Sequence, residues 1–155
     1  MAFGGPALFA GDSLEERGTL QGLKSIGVLI GLNLRIQSAG ITTEMLRPDI
    51  ETRLKRSNIR VVPRAELLQK KTREPILIVN FSDTIRVGDV FAYNMELLLH
   101  QRVRLERDQS IAPVVVPTWS VNRVGSLRAG EADKLRGAVG QAVDDFIKAY
   151  HSVNP

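Results

Sequence analysis

The chain contains no cysteine in its 155 residues. This absence excludes disulfide bonds, catalysis by a thiolate, and zinc or iron–sulfur sites built on cysteine. It says little about the compartment, because exported and cytosolic proteins can both lack cysteine. Aromatic residues are also scarce, since five Phe, two Tyr and one Trp make up 5% of the chain. Because a surface that stacks nucleic-acid bases needs aromatic side chains, this scarcity disfavours such a surface.

The sequence also lacks an apolar run long enough to cross a bilayer. Its length and its 43% hydrophobic content predict one globular domain. Residues 1–20 are rich in Gly and small residues without a clear period, so we expect a loosely ordered N-terminal arm before a single α+β domain over residues 21–155. The apolar part of this arm is short for a signal peptide and has no basic segment before it. Both a mature start with an added Met and a simple loose arm fit that pattern.

The most regular pattern is the alternation of apolar and polar residues between Val90 and Arg107. Leu98 and Gln101 interrupt it. Because successive side chains of a strand point to opposite faces, the alternation predicts a long strand with one face in a core and one in solvent. The polar face is the first predicted binding surface, and it carries Asn94, Glu96, His100, Arg102 and Arg104.

The other elements follow from shorter patterns of apolar residues, Gly and Pro. Pro113 and Pro117 share one side of their strand, and the missing N–H groups favour the edge of a sheet. The predicted elements are a central strand over 23–34, a loop over 37–40, a helix starting at Thr42 or Thr43, a short strand over 59–62, a turn of helix over 65–69, strands over 75–85 and 111–121, a loop over 125–130 and a helix over 131–151. We therefore expect an α+β fold, with an antiparallel-rich sheet of about five strands and two helices packed on one face.

A second candidate surface is basic. The interval from residue 53 to residue 73 holds Arg53, Lys55, Arg56, Arg60, Arg64, Lys70, Lys71 and Arg73, against Glu66 as its only acidic residue. Such charges bind nucleic acid or anionic lipid when they converge on one face. Helix, strand and loop can equally point them apart, and a merely solvated surface is the favoured reading.

Residues able to carry catalysis are few. The chain has two histidines, His100 and His151, and neither belongs to a metal-binding pattern. No dinucleotide fingerprint or Walker motif is present either, so we expect no metal and no cofactor. Ser82, Asp83, His100 and Ser120 contain the groups of a catalytic triad, but their spacing does not demonstrate one. The sequence therefore predicts a protein that is not an enzyme.

Several segments resemble a group of small, mostly uncharacterised exported bacterial proteins. They are NIRVV, PILIVNF, AYNMELLLHQRVRLERD, PTWSVNRVG and the closing LRGAVGQAVDDFIKAYHSVNP. The likeness covers most of the chain after about Leu20, and it implies a shared fold and a periplasmic or secreted location. It carries over no catalytic residue, because the group has no catalytic motif to transfer. A cytoplasmic location is the alternative.

Taken together, the patterns predict a non-enzymatic binding or assembly module of the bacterial envelope that contacts a protein partner or a second copy of itself. Binding of nucleic acid or anionic lipid through the basic interval is the alternative function.

Overall fold

A computed structural model describes residues 11–69 and 73–155. Within them, five strands form one mixed sheet in the order β2-β1-β3-β4-β5. Their bounds are β1 Ser25–Gly31, β2 Arg60–Val61, β3 Ile76–Val87, β4 Val90–Val103 and β5 Val114–Arg128. Strand β1 pairs in parallel with β2 and β3, whereas β3, β4 and β5 form antiparallel ladders. With the helices described next, this sheet confirms the predicted α+β class.

Two long helices lie on one face of the sheet, as predicted. They are α3, Thr43–Arg56, and α5, Ala132–Val153, and the short helices are α1 Leu14–Gly18, α2 Leu34–Ser38 and α4 Arg64–Leu67. Helix α5 contacts β4 and β5, while α3 contacts β1, β2 and α5. The hydrophobic core between helices and sheet centres on Met95 and Leu97 of β4, with Phe146 of α5 fully buried against Trp119 of β5.

Helix α3 follows the predicted period. The Thr42 side chain accepts a hydrogen bond from the Met45 N–H and caps its first turn. The core side is formed by Leu46, Ile50 and Leu54, all buried. Pro48 lies inside the helix, where its missing N–H removes one internal hydrogen bond without ending the element. At the other end, Asn58 adopts a positive φ of 59° and turns the chain toward β2.

Residues 11–20, which the sequence placed in a loosely ordered arm, instead contribute a capped helix and a core side chain. Ser13 and Glu16 form a reciprocal capping box at the start of α1. Leu20 is fully buried, and Asp12 accepts a hydrogen bond of 2.7 Å from Nε1 of Trp119. The spacing of Ser13 and Glu16 is the sequence signal of such a cap. Residues 1–10 lie outside the described part of the chain.

Strand β5 is at the edge of the sheet, as its prolines predicted. The predicted bounds of 111–121 were less accurate, because the strand begins after Pro113 and continues to Arg128. The expected loop over 125–130 is therefore largely strand. Pro117 lies opposite His100, at a register shift. Gly125 remains in the strand because the Tyr93 ring occupies the space beside it, where an added Cβ would lie 2.5 Å from the tyrosine hydroxyl. The predicted loop over 37–40 likewise overlaps the end of α2.

The two glycines of α5 give a stability test of the packing between α3 and α5. A Cβ at Gly137 would meet nothing within 4 Å, whereas a Cβ at Gly140 would lie 2.7 Å from Nη2 of Arg53. We expect Gly137→Ala to raise the free energy of unfolding by about 1 kcal/mol, because Ala is the better helix former. Gly140→Ala should gain less, since Arg53 must shift away from its ion pair with Asp144.

Urea denaturation of both variants measures the difference. In an Arg53→Ala background, Gly140→Ala should recover the gain seen at Gly137. Equal stabilisation by both substitutions in the unaltered chain would show that Arg53 does not occupy the space beside Gly140.

Candidate functional site

The sheet face that points away from α3 and α5 is the candidate site, and we call it the open face. Its members are Leu29, Ile76, Ile78, Asn80, Asn94, Glu96, Leu98, His100, Ser120, Asn122 and Val124. Across β3, β4 and β5, no helix of the described residues covers this face. Helix α4 packs on β1, where its Leu67 fills the space beside Gly27. The start of α2 hydrogen-bonds to the backbone of β3. The predicted polar face of β4 is thus one stripe of a wider surface.

An apolar row crosses the open face perpendicular to the strands. The register aligns Leu29 with Ile78, Ile78 with Leu98, and Leu98 with Ser120. The three apolar side chains are half-buried and lie outside the hydrophobic core. Sequence reasoning missed this row, although its signal was visible: Leu98 interrupts the polar parity of β4 because the sheet has an apolar group on its open side.

Hydrogen-bonding groups border the apolar row on one side. Asn80 donates from Nδ2 to a Glu96 carboxylate oxygen at 3.1 Å, and Asn122 lies opposite Glu96 on β5. One step further along β4, Asn94 donates to Ser82 Oγ at 2.9 Å. These pairs fix the polar side chains in place, so the open face presents a defined pattern rather than a set of mobile charges.

His100 borders the apolar row on the other side, between Ile76 and Pro117. The ring is half-buried, and its Nδ1 atom is inaccessible and has no hydrogen-bond partner among the described residues. Burial lowers the pKa of His100, because the surroundings disfavour the charged imidazolium. The side chain is therefore a neutral part of the open face near pH 7.

The two predicted arginines belong to a separate feature. Strand β4 ends at Val103, so Arg104 lies beyond the strand and donates to the Gln109 carbonyl at 3.0 Å. Arg102 and Arg104 line a groove of about 500 Å³ together with Arg73 and Pro113, which we call the arginine groove. The five residues predicted as one surface therefore divide into Asn94, Glu96 and His100 on the open face and two arginines in the groove.

The basic interval is spread over several elements. Its described members are Arg53, Lys55 and Arg56 on α3, Arg60 on β2, Arg64 on α4 and Arg73 before β3. Lys70 and Lys71 lie outside the described residues. Arg53 pairs with Asp144 at 2.9 Å and Lys55 with Glu51 at 3.4 Å, while Arg56 lines a groove that also contains Asp49 and Asp133. Carboxylates of α3 and α5 thus pair with Arg53 and Lys55, whereas Asp49 and Asp133 beside Arg56 are paired with Arg136.

The residues considered for catalysis do not assemble around one histidine. Ser82 lies beside Asn94, and His100 is six positions further along β4, roughly 20 Å at the rise of a strand. Ser120, opposite Leu98, lies nearer to His100, while the Asp83 side chain is outside the described atoms. Within the described part of the chain, no group of three His, Asp or Glu side chains has the geometry of a metal site.

Two neighbouring leucines test the assignment of faces. Leu97 is fully buried in the core, whereas Leu98 is half-buried on the open face. We expect Leu97→Asp to prevent stable folding, because it places an unpaired charge in an apolar interior. Leu98→Asp should cost about 1–2 kcal/mol, mainly through lost contact with Ile78.

Circular dichroism and urea denaturation of the two variants provide the measurement. Loss of the fold in both would mean that the Leu98 side is also covered.

The histidine on the open face gives a prediction about the pH dependence of stability. Since burial depresses the pKa of His100 in the folded chain, the unfolded chain binds a proton more readily. The neutral imidazole of His100 therefore stabilises the folded chain above about pH 6.5, the pKa of a His in the unfolded chain. That contribution is lost as the pH falls from about 6.5 toward the lower pKa of His100 in the folded chain. The free energy of unfolding should therefore decrease between about pH 7 and pH 5, and His100→Gln should flatten that decrease.

Denaturant melts at several pH values measure this slope. The hydrogen bond from Arg17 lowers the pKa of Asp12 below its usual value of 3.8. Asp12 therefore changes the stability only below the pH range in which His100 titrates. A slope that His100→Gln leaves unchanged would contradict the assignment.

Comparisons with known proteins add little to this geometry. No protein-family model matches the chain, and no curated protein matches it in sequence. Among solved structures, the chain is similar to a minor lipoprotein from Acinetobacter baumannii, with a TM-score of 0.41, 8% sequence identity, and coverage of 81% of this chain and 90% of that one. In the described residues, no helix combines the length and the apolar character needed to cross a membrane. The function is therefore inferred from the site.

Proposed function

We propose that this chain is a non-enzymatic binding or assembly module of the bacterial envelope, and that the open face is its contact surface. The observation that carries the proposal is the apolar row of Leu29, Ile78 and Leu98 on a face that no described helix covers across β3, β4 and β5. Protein interfaces combine an apolar centre with a hydrogen-bonding rim, and the open face has that arrangement.

The side chains of the open face indicate which features a partner surface needs. Asn80, Glu96 and Asn122 border the apolar row on one side, and His100 borders it on the other. A complementary protein surface has an apolar ridge and hydrogen-bonding groups opposite the Asn80–Glu96 pair and Asn122. Such a surface packs on the sheet at a distance of about 10 Å, the spacing of stacked sheets.

The envelope location rests on the resemblance of several sequence segments to exported bacterial proteins. Fractionation of the source cells with an antibody to this chain tests it separately from the contact surface. Recovery with periplasm or envelope supports the location, and recovery with the cytoplasm contradicts it.

Binding of nucleic acid or anionic lipid through the whole basic interval has less support. Arg53 and Lys55 are already paired with carboxylates, and the described members lie on α3, β2, α4 and the segment before β3. A surface that follows a phosphate backbone needs its cations along one track.

Site-specific crosslinking tests the contact surface. A photoreactive residue at Leu98 should capture a defined protein in the source cells, whereas the same residue at Lys148, on the exposed side of α5, should not. The captured protein is then purified, and its affinity for this chain is measured. Leu98→Asp should weaken that affinity by about tenfold or more, because it buries an unpaired charge at the interface centre.

Three results decide the proposal. Capture of a second copy of this chain, with Leu98-dependent dimerisation in sedimentation experiments, makes the partner the chain itself. Identical capture at Leu98 and Lys148 contradicts the proposal. So does unchanged affinity of the purified partner for the Leu98→Asp variant.

A further inference from the structure

The arginine groove brings together residues that are distant in sequence. Arg102 is paired with Val115 near the end of the ladder between β4 and β5. Arg104 lies just beyond the end of β4. Arg73 comes from the segment that enters β3, the neighbour of β4 on its other side. Pro113, just before β5, forms a rigid apolar wall of the same groove.

Half of the twelve other arginines are ion-paired with a described residue, whereas none of the three in the groove is. Arginines of the described residues that lie within ion-pair distance of a carboxylate are Arg17, Arg47, Arg53, Arg123, Arg128 and Arg136. Arg73, Arg102 and Arg104 form no such pair with any described residue. Among the acidic residues nearby in sequence, Glu74 accepts from Ser25 at 2.7 Å and Asp108 accepts from Ser110 at 2.6 Å. Glu106, two residues after Arg104, is not within ion-pair distance of any of the three guanidinium groups.

Like charges that converge without a counter-charge repel one another, and a bound anion removes that repulsion. Of the three guanidinium groups, only Arg104 has a hydrogen bond to a described residue, and it uses one Nη atom for the Gln109 carbonyl. Most of the N–H groups in the groove are therefore available to a ligand. A guanidinium presents paired donors in a planar fork that matches two oxygens of a phosphate group.

We propose that the arginine groove is a binding site for an oxyanion of the phosphate class. Inorganic phosphate and the phosphate headgroup of an anionic lipid share the chemistry that the groove recognises. The site goes beyond the proposed contact with a protein partner, since it depends on Arg73, Arg102 and Arg104 rather than on the apolar row of the open face.

Calorimetry with the purified full chain and inorganic pyrophosphate at low salt is the first arm of the test. Sedimentation with phosphatidylcholine vesicles, with and without phosphatidylglycerol, is the second. Arg102→Gln and Arg73→Gln should each weaken binding by about tenfold or more, because each removes a pair of charge-assisted hydrogen bonds. Arg60→Gln is the matched control, an exposed arginine on β2 outside the groove.

Binding to pyrophosphate that depends on Arg102 and not on Arg60 supports a free phosphate ligand. Binding to the anionic vesicles alone, with the same dependence, supports a lipid headgroup. Equal losses from Arg60→Gln and Arg102→Gln would overturn the proposal, because they would reflect net charge rather than a site. Absence of binding in both arms would also overturn it. Neither arm contains a protein partner, so failure here leaves the open-face proposal standing.

Discussion

The alternating burial of β4 from Phe91 to Leu99 is the constraint on which the rest of the structure depends. This strand is paired with β3 from Val90 to His100 and with β5 from Val90 to Val103. Its side chains from Phe91 to Leu99 of one parity are all buried, whereas the other parity stays half-buried or exposed. A shift of one residue would exchange the two sets, so the hydrophobic effect itself selects the register. The positions of the helices and of the open face follow from that choice.

Helix α5 completes the buried side of the sheet. Phe146 meets the Trp119 ring edge-to-face at 5.2 Å, and Nε1 of Trp119 donates to Asp12. The indole thus has an apolar neighbour on one side and a hydrogen-bond acceptor on the other, as a buried Trp requires. Ion pairs between α3 and α5 add less, because Arg53 and Asp144 are 44% and 45% exposed. The packing of large side chains therefore holds the layers together.

Much of the fold was predictable because its signals are local. The alternation of β4, the helical period of α5 and the Thr42 cap of α3 each depend on a few neighbouring residues. The course of β5 through Gly125 was not predictable, since the reason is the ring of Tyr93 on another strand. A glycine predicts a loop only when its role is local. It is misleading when the glycine makes room for a side chain from a distant part of the sequence.

The candidate site was predictable in part for the same reason. Asn94, Glu96 and His100 were correctly placed on one face, because they belong to a single strand. The apolar row requires the pairing of three strands, and the approach of Arg73 to Arg102 requires two segments to meet at the end of the sheet. Long-range pairing of this kind is not visible in one sequence.

The one-sided covering of the sheet joins the fold to the function. If α3 and α5 bury one face and the other stays open, an ordered apolar row is left for a partner, and the arginine groove lies at the end of the same face. Because the chain has no cysteine, single cysteines can report this covering directly.

The most direct measurement is the rate of thiol labelling in the native protein, with Leu98→Cys and Leu97→Cys compared. The account predicts fast labelling at position 98 and labelling at least about a hundredfold slower at position 97, where reaction requires opening of the core. Equal protection at the two positions would contradict an open face.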